Sequence, residues 1–539
     1  MKSPFAERLG TNYCPTDDEV LAIQKLIAEP IHQIFLLDDE IALLQKAIDK
    51  LREQRSRLSS YVDAHKALIF PIRRLPPDII AEIFHACLPT HRNCVMSGTE
   101  APVLLGRICS SWRVLSLATP RLWASLHIVV PPQNRGALRL EATKLWLGRS
   151  GQCPLSISLH DATPMYSPVG VAALQSDAFL KELVPFSKRW KHVRFVTSLP
   201  AFQLLGHLTA EDVPLLESIG LFMQLHNLPS GLKWAHFDTL KSPLLTSVST
   251  TANEFDTQLP FRWHILTELS VGGSRWQTLD DEMALQTLSR CPQLRTCKMV
   301  IHVASQPGPP LLHRIIMVEL VFLHTLYLDF GNVRCCLLDR ISAPGLRTFL
   351  LRGYEESPVS FLGSCGFLEN LDFECGSPNT PLSDCLAALP KTIRQLTLRD
   401  CTARSGFWGL QTSINDAVLQ LLTPVAESSS EEATPYCCPS LEELTLICGP
   451  SVSDSALELF ITRRMTGRRT LRRVYVQFNS QIQVDIKPHL EKFVREGLEL
   501  DLEYLGSVRA SSSPWEGLPD ASSRASFTRE RVWASHVLW

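Results

Sequence analysis

The sequence lacks the short motifs that mark familiar catalytic centres. It contains no Gly-x-x-x-x-Gly-Lys phosphate loop, no Gly-x-Gly-x-x-Gly dinucleotide turn, no His-Glu-x-x-His zinc helix and no Gly-x-Ser-x-Gly nucleophile elbow. Its sixteen histidines are scattered. We therefore expect no enzymatic activity and no cofactor. A stand-alone enzyme stays open as a minor alternative, because a nucleophile and its base need not be close in sequence.

Strong net charge, long apolar runs and export signals are also missing. The formal net charge is −2 and the pI is near 6.8, so there is no electrostatic footprint for nucleic acid or an anionic membrane. No uninterrupted apolar run approaches the roughly 20 residues of a membrane span, and the start MKSPFAERLG is charged where a secretory signal is apolar. No Asn-x-Ser/Thr acceptor occurs. We expect a cytoplasmic or nuclear protein without nucleic-acid or membrane partners.

Cysteine is plentiful, but none of the sixteen forms a Cys-x-x-Cys pair. Most cysteines lie inside apolar patterns, which is typical of reduced thiols acting as small buried hydrophobes in a reducing compartment. The tightest metal-like spacing joins Cys87, His91 and Cys94. Because a structural zinc site takes four ligands, we interpret these three residues as accidental neighbours and predict no metal site.

The most informative stretch runs from Leu75 to Trp123. The prolines of Leu75-Pro76-Pro77-Asp78 predict a helix start, and an apolar stripe then continues to Pro89. After a polar loop, a second helical pattern carries Leu104, Leu105, Ile108, Cys109, Trp112 and Leu115. Two short helices with this much apolar surface cannot bury it between themselves. The stretch is therefore predicted to be a docking module.

The string LPPDIIAEIF…LLGRICSSWR…TPRLW resembles an F-box, in the form common among fungal F-box proteins. The resemblance implies a small helical bundle that binds the Skp-type adaptor of a cullin-RING ubiquitin ligase. It implies these adaptor-facing residues: Leu75, Pro76, Ile79, Ile83, Phe84, Ile108, Cys109 and Trp112. Phe84 and Trp112 could instead be plain core residues. The loop from His91 to Glu100 is longer than in a compact F-box.

A heptad pattern precedes this stretch. Its apolar residues alternate in steps of three and four, with Arg55 as the one interruption: Ile34, Leu37, Ile41, Leu44, Ile48, Leu51, Leu58 and Val62. Glu53 and Arg57 add a pair four residues apart, and the helix must end before Pro71. Two interpretations remain open, a coiled coil that forms a homodimer through Ile34 to Val62 and an intramolecular helix that packs on the F-box.

Downstream, a helix is predicted over Leu138 to Gly148 and a strand over Leu155, Ile157 and Leu159. A short unit with apolar residues at positions 1, 4 and 6 then recurs, mostly every 22 to 30 residues. Its strands are predicted at Trp190/Val193/Phe195, Leu216/Ile219/Leu221, Leu266/Leu269/Val271, Leu294/Cys297/Met299, Leu323/Leu326/Leu328, Leu346/Phe349/Leu351, Leu368/Leu371/Phe373, Ile393/Leu396/Leu398, Leu441/Leu444/Leu446 and Leu471/Val474/Val476. A degenerate unit is predicted at Leu245.

Helical stretches are predicted between these units at 281–290, 382–389, 414–422 and 453–463. The array resembles the leucine-rich repeats of F-box proteins, although the asparagine expected after each strand is missing or replaced, with Cys375, Cys401, Cys448 and Asn332 loosely in register. We predict an irregular solenoid. The alternative is a non-repeating α/β domain. Glu427 to Pro435 is interpreted as a solvated loop or a phosphorylatable insertion, and the arginines between Arg463 and Arg473 as a local structural cluster or a basic signal.

The predicted fold class is multidomain, α and α/β: an N-terminal segment (1–30), a coiled-coil-like heptad helix (31–70), a helical F-box (71–127), a linking helix and first strand (128–185), the irregular repeat region (186–505) and a disordered tail (506–539). The resemblance implies a substrate-recognition subunit of a Skp-cullin-F-box ubiquitin ligase. The adaptor, and through it a cullin, would bind the F-box, and an unknown protein would bind the repeats. The alternative is a leucine-rich-repeat interaction scaffold outside any ligase.

Overall fold

A computed structural model describes residues 3–130, 136–161, 169–197, 204–223, 237–251, 259–272, 279–301, 317–333, 335–354, 356–375, 381–400, 414–424, 436–448, 452–467, 469–478 and 484–504. The predicted segments at 427–435 and 506–539, and Cys401, lie outside these residues. The chain divides into two compact units, with the division between Glu82 and Ile83. The helical and α/β content predicted from the sequence is confirmed at this level.

The first unit is dominated by one long helix, α1, which spans Asp17–Leu68. Thr16 and Glu19 form a capping box at its start, and the Thr16 amide donates to Glu19 Oε2 at 3.0 Å. These bonds and an ion pair to Arg8 hold the pKa of Glu19 at about 2. One-turn 3-10 helices lie on either side, at Ala6–Arg8 and Pro71–Arg74.

Helix α1 differs from the prediction at its start. The sequence pattern ended a first segment at Pro30, whereas the helix continues through Pro30 and begins thirteen residues earlier. Proline removes one backbone hydrogen bond from a helix interior, which bends helices more often than it ends them when both flanks favour helix. The predicted end before Pro71 and the ion pair between Arg57 and Glu53 are confirmed.

Among the described residues, one helix, α1, is long and apolar enough to cross a membrane, judged by length and composition alone. Core helices of soluble proteins and signal sequences pass the same test. The sequence prediction counted uninterrupted apolar residues and found no such segment. The two criteria differ because an averaged window tolerates an occasional charge. This finding is weak evidence by itself, since α1 also carries many charged residues beyond Leu37.

Short helices come next. They are α2 (Pro77–Ala86), α3 (Leu105–Ile108), α4 (Ser110–Leu117), a 3-10 turn (Pro120–Trp123), α5 (Gly136–Arg149) and α6 (Val169–Leu183). The helix start at Pro77 agrees with the sequence pattern, and α5 begins two residues before the predicted start at Leu138. The pattern from Leu104 to Leu115 is not one helix but two, because Cys109 adopts an extended conformation between α3 and α4.

Among the described residues, fourteen parallel strands form the main sheet, and they lie side by side in chain order. They are β1 (Ser125–Val130), β2 (Leu155–Asp161), β3 (Trp190–Thr197), β4 (Ser218–Met223), β5 (Ser247–Thr251), β6 (Glu268–Gly272), β7 (Thr296–Ile301), β9 (Thr325–Val333), β11 (Thr348–Tyr354), β12 (Asn370–Cys375), β13 (Gln395–Asp400), β14 (Glu443–Cys448), β15 (Arg473–Phe478) and β16 (Glu499–Glu503). Strands β8 (Val318–Glu319) and β10 (Ile341–Ser342) pair separately.

The register aligns the fourth position of every predicted unit into one buried column. Directly paired along it are Leu126, Ile157, Val193, Ile219, Val248, Leu269, Cys297, Leu326, Phe349, Leu371, Leu396, Leu444 and Val474. Each is at most 5% exposed. Residues two positions further on the same face form a second apolar column, because side chains alternate between the faces of a strand. The core therefore lies against this face of the sheet.

All ten predicted strand units are strands of the main sheet, and the degenerate unit at Leu245 precedes β5. The predicted helices correspond to α7 (Asp281–Ser289), α9 (Leu382–Ala387), α10 (Asp416–Leu422) and α11 (Asp454–Thr466). The sequence patterns missed β1, β16, α6, α8 (Val359–Ser364) and α12 (Lys487–Arg495). Short 3-10 turns replace helices before several strands, as at Asp238–Lys241 and Trp263–Ile265.

Candidate protein-docking surface

The first predicted adaptor-facing residues lie at and just after the start of α2. Leu75 is partly buried and Pro76 is exposed, and the Pro76 carbonyl accepts the amide of Ile80 at 3.1 Å in the first helical turn. Ile79 and Ile83 follow four residues apart, so they occupy one stripe of this helix. They are 46% and 36% exposed. Both isoleucines are therefore available to a partner.

Phe84 and Trp112 form an aromatic pair behind this stripe. The Phe84 side chain is fully buried, and its ring lies edge-on to Trp112 with 4.8 Å between the centroids. Trp112 is partly buried. Phe84 is therefore a core residue in this structure, which is the alternative that the sequence left open. Its ring packs between α2 and α4 and is not exposed to a partner.

Cys109 and Ile108 mark the break between α3 and α4. Cys109 is the N-cap of α4, and its Sγ accepts the amide of Trp112 at 3.5 Å. Arg113 Nε donates to the Gly106 carbonyl at 2.8 Å and fastens the two helices together. Ile108 is 55% exposed at the end of α3. Arg107 and Cys109 on either side of Ile108 are exposed as well, so the break presents all three residues to solvent.

Exposed apolar side chains are concentrated on α2, α3 and α4 beyond those predicted from the sequence. In the second unit they are Ile83, Leu104, Ile108, Val114 and Leu117, each at least 36% exposed. Val114 and Leu117 were not singled out by the sequence pattern, because they fall outside the stripe that continues from Leu104 to Leu115. Their exposure is the only signal that identifies them. We call these five residues the apolar helix surface.

The loop from His91 to Glu100 fixes the helices to the sheet. The Arg92 and Glu100 side chains form a buried ion pair, and Glu100 Oε1 also accepts the Val95 amide at 3.2 Å. The Cys94 carbonyl accepts the His127 amide of β1 at 2.7 Å, and Val95 forms a parallel bridge with His127. This long loop is therefore an ordered extension of the sheet edge.

Asn93 joins that loop to two strands at once. Its Oδ1 accepts the hydroxyls of Ser125 at 2.9 Å and Ser156 at 2.7 Å, and its Nδ2 donates to Ser158 Oγ at 3.0 Å. We call these contacts the Asn93 latch. Because all three serines belong to β1 and β2, the latch holds the loop in a fixed register against the sheet.

Trp123 provides a second attachment, on the core side. Its Nε1 donates to the Ser116 carbonyl of α4 at 2.8 Å, and its ring lies edge-on to Trp146 of α5 with centroids 4.8 Å apart. The guanidinium of Arg149 lies over the same ring, 4.6 Å from its centroid. Within the second unit, Trp123 thus links α4 to α5.

The face of the sheet opposite the apolar columns carries charged residues that are largely buried. Arg399 donates twice to Asp372, from Nε at 2.7 Å and from Nη2 at 2.8 Å, and Arg352 Nη2 is 3.9 Å from the same carboxylate. The three side chains are 5 to 13% exposed. Their strands are neighbours in the sheet, so the ion network crosses β11, β12 and β13.

Burial changes the proton affinities on this face. It lowers the pKa of Lys298 to about 8 and that of Arg194 to about 9, and it raises the pKa of Tyr327 to about 12. Lys298 Nζ lies 4.8 Å from the centroid of the Tyr327 ring. Burial, together with the charge of Arg194, also lowers the pKa of His160 to about 4. Removal from water disfavours the charged form in each case.

The arginine cluster from α11 to β15 contacts local partners. Arg464 is buried, and its guanidinium donates to the carbonyls of Leu422, Cys437 and Cys438 at 2.6 to 3.0 Å. Four of the other arginines also bond or pair within the chain: Arg463, Arg469, Arg472 and Arg473. These contacts favour the structural interpretation of the cluster over a basic signal; Arg468 lies outside the described residues.

Metal ligands and reactive thiols do not converge anywhere in the described part of the chain. No group of three or more His, Cys, Asp or Glu residues there could hold a metal ion. Cys87 is exposed, whereas Cys94 is buried and burial raises the pKa of its thiol to about 11. Of the thirteen free cysteines described, seven are buried: Cys94, Cys291, Cys297, Cys335, Cys365, Cys385 and Cys438. Burial raises the pKa of each of these, which suits inert, hydrophobic thiols.

The geometry of this region is thus that of a firmly mounted, exposed apolar surface. No protein-family model matches the chain, and no curated protein matches it either.

Proposed function

We propose that this protein is a substrate-recognition subunit of a Skp-cullin-F-box ubiquitin ligase. The observation that carries the proposal is the pairing of an F-box-like sequence with an exposed apolar helix surface mounted on the sheet through the Asn93 latch and Trp123. An adaptor with a complementary apolar groove would cover Ile83 and Ile108, while Phe84 and Trp112 keep their helices in place. Through the adaptor the chain would join a cullin.

The proposal extends to the sheet-bearing region, which we infer to be an irregular leucine-rich-repeat solenoid that holds a target protein. Parallel strands in chain order and apolar positions in a common register support this inference, because each repeat of a solenoid buries its apolar face against its neighbours. The chain itself would perform no chemistry. It would raise the effective concentration of the target's lysines near an enzyme carried by another subunit, in the cytoplasm or nucleus.

The test is co-purification of the full chain with a Skp-type adaptor. The variant Ile83→Ala/Ile108→Ala truncates two exposed side chains, so it should fold normally and lose adaptor binding by at least about tenfold. A matched control, Leu138→Ala/Leu145→Ala, truncates two exposed leucines on α5 and should bind as the wild type does. Circular dichroism and a thermal melt check that both variants fold.

A well-folded wild type that fails to bind the adaptor would exclude the ligase function and leave the repeat scaffold as the remaining interpretation. Equal loss of binding in both double variants would show that the loss is not specific to Ile83 and Ile108, and it would contradict the proposed contact. Phe84 is unsuitable for this test, because replacing a fully buried ring destabilises the fold, and a loss of binding would then not report on the contact alone.

A further inference from the structure

The structure extends the heptad pattern of α1 well beyond the segment visible in the sequence. Since the helix is continuous from Asp17, apolar residues upstream of Pro30 fall in the same heptad register as those downstream. The extended seam comprises Val20, Ile23, Ile27, Ile34, Leu37, Ile41, Leu44, Ile48, Leu51, Leu58 and Val62. These residues occupy successive a and d positions over about 63 Å of helix. Pro30 and Arg55 occupy the two remaining positions of the series.

These side chains are exposed along almost the whole seam. Ile34, Leu37, Ile41, Leu44 and Ile48 are 43 to 61% exposed, and Leu51, Leu58 and Val62 are 44 to 66% exposed. Helices in proteins owe most of their stability to packing of an apolar face, so a 52-residue helix with this face in water lacks its main source of stability. The helix therefore requires a partner that covers this apolar seam.

We propose that α1 pairs in parallel with α1 of a second copy of this chain, as a two-stranded coiled coil. The a positions hold Val or Ile throughout, apart from Arg55, and the d positions from Leu37 to Leu58 hold Leu. This combination favours two parallel strands. The eleven seam residues of each copy, at about 60–120 Å² per side chain, would bury roughly 1,300–2,600 Å² between them, which meets the roughly 1,200–2,000 Å² of a stable interface.

The flanking charges are compatible with the parallel arrangement. Residues at g positions would face residues at e positions of the partner's next heptad, and these pairs are Glu40 with Gln45, Ala47 with Arg52, and Gln54 with Ser59. No like charges meet among them. A lipid surface is the competing occupant, but acidic and basic residues are interleaved with the seam from Asp38 to Arg57, which an inserted helix face would have to dehydrate.

Arg55 has a particular role in this arrangement. It is the one charged residue at an a position, so the arginines of the two copies would face each other in one layer of the coil. A single polar layer fixes register and strand number at a cost in stability. Like charges repel, and salt screens the repulsion. The dimer should therefore tighten as salt rises from about 0.05 to about 0.5 M, and Arg55→Ile should tighten it at low salt.

The decisive experiment is the molar mass of the full chain in solution, measured by light scattering. We expect twice the mass of the 60.4-kDa chain for the wild type. Ile41→Asp/Ile48→Asp, which places charges at two a positions, should raise the dissociation constant at least about 100-fold. The matched control Leu36→Asp/Leu43→Asp removes two exposed apolar residues from the c positions of the heptads that begin at Ile34 and Ile41, and it should remain a dimer.

Cys14 reports the orientation. It is exposed three residues before α1, so a short bis-maleimide should link two copies of a parallel dimer through it, and Cys14→Ser should remove the link. In an antiparallel pair the two thiols would lie far beyond the reach of the reagent.

A monomeric wild type with full helicity would overturn the proposal, because α1 would then be stable without a second copy. Dissociation of the control variant, flotation of the wild type with phosphatidylcholine vesicles in place of dimer formation, or a missing Cys14 link would each overturn it as well. None of these results depends on adaptor binding, so the dimer and the ligase proposals fail independently.

Discussion

The side chains of Phe84 and Ile108 have opposite environments, one fully buried and one exposed, and this contrast yields a stability prediction. Phe84→Ala should lower the free energy of unfolding by about 3–5 kcal/mol, because it empties a buried site and removes the ring contact with Trp112. Ile108→Ala, at an exposed position, should change it by less than about 0.5 kcal/mol. Denaturant unfolding of the two variants measures both values. Similar losses in the two would contradict the burial of Phe84.

His160 yields a pH prediction. Its pKa is lowered from 6.5 to about 4 in the folded chain, so the unfolded chain binds more protons between these two values. Stability should therefore be complete above about pH 6.5 and fall as the pH decreases toward 4.

The His160→Gln variant isolates this effect, because glutamine does not titrate. The melting temperature of the wild type should drop more between pH 7 and pH 4 than that of the variant. Parallel curves for the two proteins would show that His160 does not contribute.

At the residue scale, the sequence marked which side chains belong to the segment that resembles an F-box, but not which of them point inward. Ile79, Ile83 and Phe84 are equally apolar, and the helical spacing allows either side to be the core. The contact with Trp112 decides which side of α2 is the core. The Trp112 ring packs against Phe84, although the two residues are 28 positions apart in the sequence. Contacts at that separation leave no local pattern to detect.

The Asn93 latch is the element that determines how the helices are held on the sheet. Asn93→Ala removes three hydrogen bonds, and it should lower the free energy of local opening of this loop by roughly 2–3 kcal/mol. Amide exchange at His127, which bonds to the Cys94 carbonyl, should accelerate accordingly.

Ser97→Ala is the control for the latch, since the Ser97 hydroxyl bonds within the loop to Thr99. It should leave exchange at His127 unchanged. Equal acceleration in the two variants would show that the loop opens independently of Asn93.

Elements with a clear period were predictable, and elements defined by tertiary context were not. The strand units were readable because each repeats the same apolar spacing. Strand β1, Ser-Leu-His-Ile-Val-Val, was missed because it follows directly on the Trp123 turn and is divided by the predicted boundary, at residue 127, between the F-box and the linking segment. The true start of α1 was missed because Pro30 was taken as a helix boundary. The residues on both sides of Pro30 favour helix, and the helix continues through it.

At the scale of the whole molecule, sequence periodicity anticipated the apolar face of the sheet but not the opposite one. The pairing of Arg399 with Asp372 joins residues 27 positions apart on neighbouring strands. Such a pair depends on the register between strands, which a single unit does not reveal. The outward positions vary from strand to strand, so no repeat-based rule predicts their charges.

The chain order of the strands has a consequence for synthesis on the ribosome. When a new strand of the main sheet is synthesised, the preceding strand with which it pairs has already been made. At synthesis rates of about 5–20 residues per second, strands spaced about 25 residues apart would emerge roughly every one to five seconds, which is long compared with strand pairing times. The growing sheet would thus offer one edge at a time to the next strand, and the helices that precede β1 would be synthesised before the sheet begins to form.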